Sequence, residues 1–133
     1  MEVKVKEKTE AKKEKSYLKF IDAIIKVDDE VTKITSSSEI SVTKLRIIKA
    51  INSIKTDENE INFLNWSISV YAEALSDFKV YVNIMNSMKG LKNMSDDEIV
   101  KAEIAYFKDV MKLACGQMLE RANSIINEEG FNN

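Results

Sequence analysis

The sequence predicts an all-α protein: a four-helix bundle built on a long antiparallel hairpin of its last two helices, with the first two packed against it. Three observations carry this. The 133 residues contain no proline and three glycines, which removes most of the turn vocabulary that β-proteins need. Apolar residues recur every three or four positions along most of the chain, the period of a helix face. The breaks between these runs carry residues that start helices rather than strands.

The first helix is expected from Thr9 or Ala11 to Ile34, after a charged segment 1–10 that should fray. Its stripe is Tyr17, Phe20, Ile24, Val27, Val31 and Ile34, a regular alternation of three- and four-residue steps. Leu18, Ile21 and Ile25 widen it, which suits contact with two neighbours. In "TSSSE" the serines compete for backbone hydrogen bonds, and Ser36 with Glu39 fits a capping box. The second helix, 38–55, should turn Ile40, Leu45, Ile47, Ile48, Ile51 and Ile54 inward.

Asp57 and Glu60 stand in the same capping relation, and acidic residues crowd a position where a helix N-terminus favours negative charge. The third helix, 57–89, would be on the order of 50 Å long. Its seam is Ile61, Leu64, Ile68, Tyr71, Leu75, Phe78, Val82 and Met85, with Gly90 expected as the residue that ends it. In "MSDDEI", Ser95 is the N-cap, Glu98 its capping-box partner, and Met94 with Ile99 a hydrophobic staple. The fourth helix, 96–127, presents Val100, Ile104, Phe107, Met111, Ala114, Met118 and Ile125, and Gly130 closes it. Two long helices joined by the short "GLKNM" form a hairpin. Gly116, inside the last helix, suggests a neighbour approaching closely.

A chain of this length with 44% hydrophobic residues can bury one core, so 1–133 reads as a single domain. With 20 basic and 22 acidic residues the net charge is −2, and no global field draws it to nucleic acid or an anionic membrane. No run approaches the roughly 18 apolar residues of a membrane span, and the charged start is unlike a secretory leader. The expectation is a soluble, cytoplasmic protein.

The absence of histidine removes the commonest general base and metal ligand. Cys115, the sole cysteine, has neither a disulfide partner nor an imidazole to activate it, and reads as a small core residue. The carboxylates of "DENE" and "SDDE" are accounted for by capping, and no phosphate-binding glycine loop is present. The sequence points away from an enzyme, and from any cofactor or metal. A W-x-G turn signature, which some small helical hairpins carry, is absent: Trp66 is followed by Ser67 and Ile68.

Between Ile61 and Met85 only Glu73, Asp77 and Lys79 are charged, and Phe63, Trp66, Val70, Ala74, Val80, Ile84 and Met88 lie outside the predicted seam. Such a helix has more apolar surface than its own chain can cover, which implies a second copy or another protein as partner. The expected function is a non-enzymatic interaction module, an adaptor, inhibitor or immunity-type protein, acting through an apolar helix face and self-associating as a homodimer. Phe63, Trp66, Val70 and Tyr106 are the candidate contacts, since aromatic side chains anchor interfaces. An alternative is a small DNA-binding regulator using the basic helix 40–55, with Lys44, Arg46 and Lys49 facing a groove. A further alternative is a sensor holding an apolar ligand in the bundle interior.

Overall fold

A computed structural model describes residues 2–54 and 61–128, with side chains from 17 onward. The chain forms α1 (Glu2–Thr32), α2 (Ser37–Asn52), α3 (Ile61–Met88) and α4 (Asp96–Glu128), with no strand among the described residues. This is the all-α bundle with a long hairpin that the periodicity predicts. The core is shared around α4, which packs against both α1 and α3, while α2 touches all three other helices with slighter contact.

The helix boundaries follow local chemistry. α1 begins at Glu2, about two turns before the expected start, so the segment 1–10 is helical from its second residue. It ends through three-residue backbone bonds, Lys33 N–H to the Glu30 carbonyl and Ile34 N–H to the Val31 carbonyl, 3.0 and 3.3 Å, that tighten its last turn. Ser36 is the N-cap of α2 in extended backbone, but its hydroxyl does not cap the helix. Instead the Glu39 carboxylate reaches back, accepting from the Thr35 N–H at 3.2 Å and the Ser36 hydroxyl at 3.1 Å. At the start of α4 the cap forms as expected, with the Glu98 N–H donating to Ser95 Oγ at 3.2 Å. Asp57, Glu60 and Gly130 lie outside the described residues.

Gly90 does not end α3 by a left-handed turn. That conformation belongs to Asn93, φ 56°, and the Met94 N–H reaches back to the Lys89 carbonyl at 3.3 Å. This is the six-to-one bond of a Schellman closure with asparagine in the left-handed place.

The five stripe residues of α1 are buried, as is Ile34 just beyond its end. Leu18 and Ile25 are exposed, so α1 meets its neighbours through a narrow stripe. On α2, Ile40, Ile47, Ile51 and Ile54 are buried as expected, but Leu45 and Ile48 face solvent and Thr43 and Ala50 take the inner positions. On α3 the buried stripe is Phe63, Ser67, Tyr71, Ala74 and Phe78. Ile61 and Ile68, expected in the seam, are exposed, and Leu64, Leu75 and Val82 lie at its edge. On α4, Val100 is exposed, while Ile99, Cys115, Ala122 and Ile126 join the core. A Cβ added at Gly116 would meet nothing within 4 Å, so no helix approaches there.

Candidate interaction surface

Two sets of polar ties register the bundle. Lys112 Nζ donates to Thr32 Oγ1 at 2.6 Å and to Asp28 at 3.3 Å, fixing α1 on α4. The Tyr71 hydroxyl donates to the Lys44 carbonyl at 3.2 Å, fixing α3 under α2. Tyr17 meets Phe63 edge-on at 5.4 Å and shares a cleft with Arg121 and Ile125. With Lys112 beside Thr32, this shows that α1 runs antiparallel to α4 and covers it from about its middle to its end. Beyond Phe78 no residue of α3 is buried, and between Asp96 and Glu103 only Ile99 is. Burial is therefore concentrated in the other half of the hairpin, and the distal half is sparsely covered.

To one side of its buried stripe, α3 carries a second regular series: Trp66, Val70, Glu73, Asp77, Val80, Ile84 and Met88, with Leu91 continuing the spacing. A step of three or four residues keeps these side chains on one flank. Val70, Glu73 and Asp77 form one wall of a shallow groove of about 100 Å³ whose other wall is Val110, Leu113 and Gln117 of α4. Further along, Val80, Asn83, Ile84, Ser87 and Met88 line an apolar depression. Between the two, Tyr81 and Tyr106 stack with centroids 4.1 Å apart and planes within 4°. Glu73 and Asp77 are exposed and pair with no cation among the described residues.

The candidate contacts divide on this map. Phe63 is core, 5% exposed and edge-to-face with Tyr17 and Phe20, so it has no surface left for a partner. Trp66 packs partly on that core, its ring 5.9 Å from Phe63, and lines an open cleft with Arg121 and Glu128. Val70 and Tyr106 are half-buried. Trp66 and Tyr81, the partner of Tyr106, are fifteen residues apart on α3, about 22 Å. The three are strung along the hairpin rather than gathered in one spot. Val80, Ile84 and Leu91 were outside the candidate set. Their signal was residues 80–88, "VYVNIMNSM", nine residues without a charge.

Of the basic candidates on α2, Arg46 is ion-paired with Glu30 and the Lys44 ammonium lies 5.5 Å from the centroid of the Phe78 ring. Only Lys49 has no such engagement among the described residues. The exposed face of α2 also displays Val42, Leu45 and Ile48, apolar groups that a phosphate backbone does not reward.

For covalent chemistry the molecule offers little. Cys115 is fully buried and its thiol is pushed up to about 12, chiefly by burial, with the charge of Asp28 adding and that of Lys112 opposing. A thiol so protonated is a poor nucleophile. Among the described residues no three His, Cys, Asp or Glu side chains gather as metal ligands, and no helix is long and apolar enough to cross a membrane. Comparison of the chain with family models, curated proteins and solved structures returns no match.

Proposed function

We propose that this chain is a non-catalytic helical interaction module that works through the outer face of the α3–α4 hairpin and self-associates there. One observation carries the reading. Val80, Ile84, Leu91 and Leu113 are 53%, 50%, 87% and 64% exposed, on a hairpin that buries no residue of α3 beyond Phe78. Apolar surface held on rigid helices and rimmed by polar residues marks a contact site. Enzymatic use would need a reactive group, and the buried thiol of Cys115 is unsuited to that role. Light scattering coupled to gel filtration over a dilution series tests the reading. The expected result is a mass that climbs above the 15.2 kDa of one chain as concentration rises through the micromolar range. A constant monomer mass throughout would leave a different protein as the partner of this face.

A further inference from the structure

We infer that the occupant of this face is a second copy docked antiparallel about a twofold axis near Ile84, with Leu91 of each copy seated in the Val70–Leu113 groove of the other. The inference rests on the self-association reading above and adds its geometry. The exposed stripe of α3 is acidic at one end, with Asp77, and apolar at its centre, with Val80 and Ile84. In the turn just beyond its other end come the exposed Leu91 and the cation Lys92. Neither Asp77 nor Lys92 has an ion-pair partner among the described residues. The midpoint between Asp77 and Lys92 falls between Ile84 and Met85.

A twofold axis at that point sets Ile84 against Ile84 of the second copy, and each Asp77 against the other copy's Lys92. It also carries each Leu91 over the position of Asp77, at the mouth of the groove lined by Val70, Val110 and Leu113. An isologous contact requires that residues pair reciprocally across the axis, and a stripe with opposite charges at its two ends and an apolar middle meets that requirement. A parallel arrangement would instead set Asp77 on Asp77 and Lys92 on Lys92. The shared face is about 21 Å long and two helix diameters, about 20 Å, wide. It covers on the order of 400 Å² of each copy, about half a standard interface, which places the dimer among weak, reversible associations.

Sedimentation equilibrium of the full chain, from about 1 μM to about 1 mM, tests the arrangement with exposed substitutions whose folding is checked by thermal melts. Asp77→Lys alone and Lys92→Asp alone each place like charges at both ends of the interface and should weaken association about tenfold or more. An equimolar mixture of these two variants restores opposite charges at both ends of the mixed dimer, one pair with its charges exchanged and the other as in the wild type, and should recover wild-type association. Leu91→Glu should abolish it. If the wild type associates while the single variants match it, or while the mixture fails to recover, this geometry is wrong and self-association through another surface stands. Association of Leu91→Glu at wild-type strength would likewise overturn the seating of the tip leucine. A wild type that stays monomeric over the whole range removes self-association and this inference with it.

Discussion

In its covered half, up to Phe78, the α3–α4 hairpin places Phe63, Ser67, Tyr71, Ala74 and Phe78 against Phe107, Met111, Ala114, Met118 and Ala122, with α1 and α2 completing the enclosure. In its distal half the same two helices continue with comparable apolar content, yet bury only Ile99 and Ile104. Two helices present each other with one face apiece, and burying a continuous row of side chains takes further neighbours. The difference teaches that apolar content alone does not make a core. The first half is held by burial, and the second is held mainly by helix continuity and the Schellman closure at Asn93, with its apolar groups largely exposed.

The sharpest way to break this comparison is to truncate on both sides of it. Phe107→Ala removes a fully buried ring that meets Phe78 edge-on at 5.2 Å, and should cost about 3–5 kcal/mol, a large part of the stability of a small domain. Val80→Ala and Ile84→Ala, measured at concentrations where the chain is monomeric, should stay within about 0.5 kcal/mol. Urea unfolding of the three variants decides it. A loss of similar size at Ile84 would mean that the distal half is core after all.

A smaller effect reports on the covered half through pH. The Cys115 thiol titrates near 12 in the folded chain and near its ordinary 9.0 when exposed. Between those values the unfolded chain has released a proton that the folded chain keeps. Stability therefore falls as pH rises through this window, by about 1.4 kcal/mol per unit. Burial raises the Tyr71 hydroxyl in the same sense. Urea midpoints at about pH 8 and about pH 10 should drop less in Cys115→Ala than in the wild type. Equal drops would show that the thiol does not stay protonated inside the bundle.

Gly116, exposed, and Ser67, buried, sharpen the picture of where the covered half is crowded. Gly116→Ala meets open space and should stabilise the helix by about 1 kcal/mol, seen as a higher melting temperature. A lower one would reveal a neighbour at that position. Ser67 is fully buried and its hydroxyl lacks a hydrogen-bond partner among the described residues. Ser67→Ala, which removes an unmet polar group without opening a cavity, should raise stability by a few tenths up to about 1 kcal/mol.

The stripe of α1 could be read directly because six apolar residues keep an unbroken spacing along one face and most residues between them are charged, although Leu18 and Ile25 lie off it. α3 could not be read this way. With large apolar groups on several flanks it offers more than one regular seam, and hydropathy chose Ile61, Leu64 and Ile68. The fold chose the seam that contains Ser67 and Ala74, small side chains that carry little hydropathy signal but allow helices to come near. Thr43 and Ala50 displaced Leu45 and Ile48 on α2 in the same way. Among the candidate contacts, Trp66, Val70 and Tyr106 keep some exposure because they flank that seam. Phe63 lies on it, four residues before Ser67, and so is core. The distal surface was legible only as a missing charge pattern, since its meaning depends on how far α1 and α2 extend over the hairpin.

The helix at the centre of the bundle is the last of the four to be synthesised. α1 and α3 both rest on α4, whereas the contacts that α2 makes with α1 and α3 are slighter. A ribosome adding about 5–20 residues per second needs roughly 2–7 s to make the 33 residues of α4. Through that interval Phe20, Ile24, Phe63 and Phe78 are already in existence without Phe107, Met111 and Met118 to cover them. Nascent chains of this protein thus pass through a stage in which their apolar stripes are open to chaperones, and a ribosome that stalls before Phe107 holds a chain with no organising helix.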